Sequence, residues 1–419
     1  MLLLNLLLLH FYLWYFIGLY GILKEKTKRE YLLIIGSVCL LLTHTIITMY
    51  TAIICFIYLL TQFKELKKKQ VRNKIIISLI FIIVITSFFT IPLLEHKLGA
   101  NYEVFKEGRM ERTDVLIAFK LSFSDLFITQ SNSIMIYEIG LISVILLILS
   151  PIVIKKLKIK WSHTDFYRFY IFALISGIVC CIMTLKIFPF EHLPAILKML
   201  QFSFRLLEFS SFFFAFVVAV NFVMLIKNIK YKDIAIVIIL LTLLSSLFIS
   251  HIHFADNIDE NRLWPAVRVT KDTGRVHAGC ASFEYLPCKA FENRSYIETR
   301  SDEVVVLEGN AKIENQSKEN TNLTCKISYV LEETKLELPY IYYLGYEVTL
   351  EQNGETIKLD TYETDKGFVG VTIPVLEEGI INVSYEGTFI MKMSRLISIL
   401  GIIIFIGYVI KNKKSNNDY

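Results

Sequence analysis

Hydrophobic residues fall along this chain in two regimes. From residue 1 to about 250 they come in runs of roughly twenty, long enough to cross a ~30 Å hydrocarbon layer as helices. From about 304 to 385 they alternate with polar residues at the period of strands. A last apolar run, Ser394 to Ile410, closes the pattern.

The first regime predicts spans over 1–23, 74–94, 134–154, 166–188, 206–226 and 234–250. Tyr31 to Thr61 is too long for one span, since a single helix would reach about 46 Å at 1.5 Å per residue. Basic residues flank it on both sides, so it reads as a hairpin with Thr43-His44-Thr45 at its apex. With the closing run this makes about nine membrane segments. Two longer connections remain, 95–133 and 189–205. Asp114 to Ile128 reads as an interfacial helix. So does the start of PFEHLPAILKMLQFSFRLLE, where Leu193, Ile196, Leu197 and Leu200 share one helical face.

The second regime predicts about seven strands over 304–313, 323–331, 337–343, 346–352, 356–359, 368–373 and 380–385. Asn353-Gly354 between two of them signals a type I′ hairpin. The fold class is therefore an α-helical polytopic membrane protein with an antiparallel β-sandwich-like domain before the last span. The domains are 1–250 (multi-span), 251–393 (β-rich), 394–410 (anchor) and 411–419 (tail).

Charge assigns sides. The net charge of +5 conceals a segregation, because five short loops hold 20 of the 44 Lys and Arg. Residues 251–392 carry 24 acidic and 14 basic side chains. The positive-inside rule then puts the loops at 24–30, 62–74, 155–160, 227–233 and 411–419 in the cytoplasm, and the acidic block outside. The basic charge reports topology, with no nucleic-acid motif beside it. It also puts the N-terminus outside, with little there to hold it, which suggests a chain that starts partway through a longer architecture.

Candidate chemistry gathers at the external mouths of spans: Glu95 and His96, Glu191 and His192, Arg205 and Glu208, and His44 at the hairpin apex. Carboxylates and imidazoles are what a glycosyl transfer uses to take a proton from an acceptor hydroxyl or to hold a divalent metal. Arg suits phosphate, because its planar fork matches phosphate oxygens. The plainer readings stay open: Arg205 snorkelling to headgroups, His44 a hydrated tip, Glu and His as ordinary interfacial residues. No cofactor is fixed by the sequence, a divalent metal stays open, and no Cys/His spacing suggests zinc. No phosphate-binding loop, nucleophile elbow or H-E-x-x-H occurs, which argues against a nucleotide-hydrolysing transporter. Of seven cysteines, Cys39, Cys55, Cys180 and Cys181 lie in spans; Cys280, Cys288 and Cys325 are external, with a Cys280–Cys288 disulfide open.

His192-Leu193-Pro194 followed by Gln201-Phe202-Ser203-Phe204-Arg205 resembles the L-P…Q-F-P-W-R-F-L segment of a bacterial polytopic membrane family labelled "6-pyruvoyl-tetrahydropterin synthase-related". That family is similar to the GT-C glycosyltransferases. Phe283-Glu284-Tyr285-Leu286-Pro287 resembles its e-Y-L-P segment, and Leu338-Pro339 with Tyr342-Tyr343-Leu344-Gly345-Tyr346 its L-P…Y-Y-P-G-Y strand. Here Ser203-Phe204 stands for Pro-Trp, and Leu344 for Pro. The resemblance implies a GT-C-like architecture and a polyprenyl-phosphate sugar as donor. The loop where GT-C proteins usually place their catalytic acid is here the basic 24–30, so the match is to the later part of the architecture.

Two functions follow. One is a GT-C-like glycosyltransferase, or part of one, moving sugar from a polyprenyl-phosphate carrier to an envelope glycan or protein. Glu95 and His96 would be its catalytic candidates, and Arg205, Glu208, Gln201, His192, Glu191 and His44 its substrate-binding ones. The other is a non-catalytic envelope protein whose external β domain binds glycan or a protein partner. The lipid bilayer is a partner in both.

Overall fold

The computed structural model describes residues 2–25, 29–99, 101–106, 113–127, 139, 141–161, 164–226, 233, 236, 237, 240, 244 and 285–417. The chain divides into two compact units: Met1–Thr86, Met110–Leu263 and Ile404–Tyr419 in one, Ser87–Arg109 and Trp264–Ile403 in the other.

The first unit is helical. Leu2–Tyr20 packs against Glu30–Thr43 through small residues: a Cβ on Gly18 would fall 2.2 Å from the backbone N of Leu33, and one on Gly36 2.7 Å from that of Tyr15. Helices without a hydrophobic drive between them associate by such close approach. The hairpin expected over Tyr31 to Thr61 is present as Glu30–Thr43 and Thr45–Thr61, broken at His44, whose backbone is extended. Leu33, early in the first helix, and Tyr58, late in the second, share one buried cluster with Leu19 and Ile22, so the chain turns back.

Asp165–Met183 and Leu206–Ile226 form the centre of this unit. Their aromatic side chains, Phe169, Phe172, Phe209 and Phe213, pack with Tyr12, Phe16 and Tyr50. Leu141–Ile148 and Ser150–Trp161 are separated at Leu149, just before Pro151. Proline lacks the N–H that Leu147 would need and crowds the preceding turn. Asn221 bonds both sides of the break: its Nδ2 donates to Leu146 O and Ser150 Oγ, both at 2.8 Å, and its Oδ1 accepts from Tyr170 Oη at 2.6 Å.

Three described helices are long and apolar enough to cross a membrane: Asp165–Met183, Ser203–Ile226 and Phe389–Asn412. A fourth counts if Lys69–Ile85 and Ser87–Gly99 are taken as one broken span. The nine segments expected are not reached among the described residues. The hairpin limbs are shorter than a span, at 14 and 17 residues. The run 134–154 is divided, and the run 234–250 lies almost wholly outside the described residues. The C-terminal helix, Phe389–Asn417, extends beyond the expected Ser394 to Ile410 at both ends.

In the second unit, two antiparallel sheets share one core. The strands are β1 (Val305–Glu308), β2 (Lys312–Glu319), β3 (Asn322–Val330), β4 (Thr334–Ile341), β5 (Tyr346–Gln352), β6 (Glu355–Leu359), β7 (Thr361–Glu363), β8 (Phe368–Ile373) and β9 (Leu376–Tyr385). One sheet runs β1-β4-β8-β7 and the other β2-β3-β9-β5-β6. Leu336, Leu338, Val369 and Val371 from the first meet Cys325, Ile327, Val348, Leu350 and Ile381 from the second. The strand expected over 304–313 is two strands in different sheets, because Gly309 at φ +82° turns the chain between them. Pro339 sits where the β4–β8 ladder skips between Glu337 and Ile341, the irregularity a proline demands of an interior strand. Ser87 on Ser87–Gly99 ties to the C-terminal helix, donating to Ser394 O and meeting Ser398 Oγ, both at 3.0 Å.

Candidate functional site

The short interfacial helix expected in the first half of the Pro189–Glu208 stretch is not one continuous helix. The stretch folds as a 3-10 turn Phe190–His192, a one-turn helix Ala195–Lys198 and a second 3-10 turn Ser203–Arg205. Pro194 is the reason: it forces Leu193 into an extended conformation and restarts the helix after itself. Leu200 is fully buried, Leu193 and Leu197 pack on the aromatic cluster, and Ile196 faces out at 53% exposure. The helix expected over Asp114 to Ile128 is likewise two short pieces, Thr113–Ala118 and Phe123–Leu126. Ser203 Oγ donates to Phe119 O at 2.6 Å and joins the two stretches.

Arg205 is held from its own loop. Its Nη1 donates to Leu200 O at 3.0 Å and to Gln201 Oε1 at 3.1 Å, and its guanidinium lies 4.9 Å from the Phe202 ring centre. Gln201 adopts φ +69°, rare for a residue with a side chain, to place its amide there. Among the described residues, Nε and Nη2 of Arg205 have no hydrogen-bond partner. Glu208, one turn along, is in electrostatic reach of Arg205 but makes no ion pair with it. Its Oε2 is buried and has no hydrogen-bond partner.

Two further side chains, His44 and Tyr12, interact with this pair, and Tyr50 holds the neighbouring loop. His44 caps the second hairpin helix, its Nδ1 accepting from Ile47 N at 3.4 Å, and interacts electrostatically with Arg205. Tyr50, two turns along, donates its hydroxyl to Leu197 O. Tyr12 packs on Phe209 and Phe212, feels the charge of Glu208, and has a buried hydroxyl with no partner. The structure therefore brings His44, Gln201, Arg205 and Glu208 together. Tyr12 and Tyr50 escaped the sequence because they sit inside apolar runs; the clue available was that a phenol in a span must place its hydroxyl somewhere.

Glu191 and His192 stand apart from this cluster in what they contact. Glu191 pairs with Lys120 at 3.2 Å, and its own backbone N–H together with Lys120 holds the carboxylate below the usual range. His192 is exposed and makes no hydrogen bond through its ring among the described residues. Glu95 and His96 belong to the second unit and have partners inside it. Glu95 Oε2 accepts from Thr388 Oγ1 at 2.7 Å, and His96 Nδ1 lies 2.6 Å from Tyr102 Oη. Among the described residues no three His, Cys, Asp or Glu side chains gather as a metal site. Cys288 and Cys325 are free thiols, and Cys280 lies outside the described residues.

No family model, curated protein or solved structure matches this chain.

Proposed function

We propose that this is a multi-pass membrane protein of the cell envelope that transfers sugar from a polyprenyl-phosphate carrier to an envelope acceptor, a GT-C-like glycosyltransferase or part of one. The observation that carries the reading is Arg205 with unused donors beside Glu208 with an unpartnered carboxylate oxygen. The two together suit a phosphate and a hydroxyl at one place. Arg205 would bind the carrier phosphate through Nε and Nη2, the edge that its contacts with Leu200 and Gln201 leave open. Glu208 would take the proton of the acceptor hydroxyl as its oxygen bonds to the anomeric carbon, while the bond from that carbon to the carrier phosphate breaks and the phosphate leaves on Arg205. His44 and Tyr50 would hold the shape of the mouth. The reading assigns no step to Glu95 and His96, which hydrogen-bond within their own unit. Its sidedness follows the lysine-rich loops, with the β domain and the 189–205 loop outside and residues 411–419 in the cytoplasm.

The test is transfer by the purified full chain from a polyprenyl-phosphate sugar. Arg205→Ala should lower it at least about 100-fold while leaving membrane insertion intact. Unchanged transfer in that variant removes the phosphate role. Cysteines placed by Lys68→Cys and Asn353→Cys check sidedness. A membrane-impermeant reagent should mark the second and spare the first in whole cells.

A further inference from the structure

Tyr329, Leu331 and Val375 are 68%, 78% and 64% exposed, at one tip of the sandwich. Val330 pairs with Leu376 across the β3–β9 ladder, so Leu331 and Val375 face each other one step beyond it. Tyr329 lies between Ser328 and Val330, which pair with β9 in one unbroken register, and its backbone stands at φ +59°. This left-handed conformation disfavours a bulky side chain, and strain of this kind persists where the fold holds a residue for a purpose. A large aromatic held outward beside two aliphatic residues is the composition of a contact hot spot.

The charges around the tip select the occupant. Glu332, Glu333 and Glu377 are all exposed, and none has an ion-pair partner among the described residues. The nearby lysines are committed: Lys326 to Glu378 at 2.5 Å, Lys335 to Glu308 at 2.8 Å, Lys312 to Glu314 at 2.7 Å. An anionic lipid surface would be repelled by this rim, and a second copy of the tip would set carboxylate against carboxylate. The start of the C-terminal helix is also remote from the tip. β9 leaves the tip at Leu376 and runs ten residues to Tyr385, just before Phe389 begins that helix. At about 3.3 Å per residue this puts roughly 30 Å between them.

We propose that this tip docks a basic protein partner, one that presents an apolar pocket rimmed by Lys or Arg. Tyr329, Leu331 and Val375 fill the pocket, and Glu332, Glu333 and Glu377 meet the rim. The inference does not depend on Arg205 or on sugar transfer.

The test uses the full chain in nanodiscs and two labelled peptides of one length, alternating Leu with Lys or Leu with Glu, followed by fluorescence anisotropy. The Leu-Lys peptide should bind at least about tenfold more tightly than the Leu-Glu one, and weaken as salt rises. Leu331→Ser and the double charge reversal Glu332→Lys, Glu333→Lys should each cost about tenfold, with the thermal unfolding midpoint unchanged. Equal affinity for the two peptides, or variants that bind as the parent does, would overturn the proposal. So would Leu331-dependent capture of anionic vesicles, or self-association lost in Leu331→Ser, since these assign the tip to lipid or to a second copy.

Discussion

Arg300 Nε lies 3.2 Å from Glu337 Oε1, with 4% and 1% of the two side chains exposed. Arg300 leads out of the short helix Arg294–Thr299, and Glu337 stands on β4 in the middle of its sheet. The carboxylate is satisfied from every side: Tyr296 Oη donates to Oε1 at 2.9 Å and Thr364 Oγ1 to Oε2 at 2.8 Å. Arg300 also donates from Nη2 to Glu337 O at 3.2 Å and lies 4.7 Å from the Phe368 ring centre.

A buried pair with its remaining hydrogen bonds made is costly to break from one side, because the surviving charge is left without a partner. Glu337→Ala should destabilise the β domain by about 3–5 kcal/mol. Loss of protease resistance in the C-terminal half, with the helical unit still inserted, is the expected reading. A variant as resistant as the parent would mean that water reaches Arg300.

Asn221 plays the corresponding part among the helices. Its side chain holds Tyr170, Ser150 and the Leu146 carbonyl. Asn221→Leu keeps the volume and removes all three bonds. Polar bonds between membrane helices are worth about 0.6–1.7 kcal/mol each, so a loss of about 2–5 kcal/mol is expected for the three. The midpoint of detergent-induced unfolding should fall accordingly. Tyr170→Phe, which removes one bond, should fall by less.

The parts of this fold that were legible in the sequence are those set by neighbours in the chain. Asn353 and Gly354 take φ +52° and +82°, the two left-handed positions of a type I′ turn, as their identities require. The hairpin break falls on His44, where basic flanks on both sides of an overlong apolar run demanded a reversal. Gly345, in the Tyr-Tyr-Leu-Gly-Tyr motif, stands at φ +112°, and a Cβ there would meet Gly387 Cα at 2.7 Å. The motif was visible in the sequence; its use, closing the chain against the entry to the last helix, was not.

Other features depend on meetings between distant residues. The leucine spacing after Pro189 ran through Pro194 as though the proline were neutral, and periodicity alone does not register a broken turn. Gly309 passed for a strand residue within a β-branched run, although its backbone sends β1 and β2 to different sheets. At the candidate site, Gln201 and Arg205 lie four residues apart and were legible together. Tyr12 meets Glu208 from nearly two hundred residues away, and nothing in an apolar run marks which phenol will do so.

Cys325 offers a test of the sandwich core that uses pH. It is fully buried on β3, and burial pushes its thiol up to about 11 from an ordinary value of 9. The folded state thus favours the neutral thiol more than the unfolded state does. The stabilising contribution is complete below pH 9, where both states keep the proton, and is lost as pH rises through the folded value near 11. The unfolding midpoint of the parent should therefore fall more steeply than that of Cys325→Ala between these limits. Lysines and tyrosines that titrate in the same window are common to both proteins and cancel in the difference. At about pH 8 a maleimide should label the half-buried Cys288 and leave Cys325 untouched until the domain unfolds. Parallel pH curves, or labelling of Cys325 in the folded protein, would show a core open to water along β3.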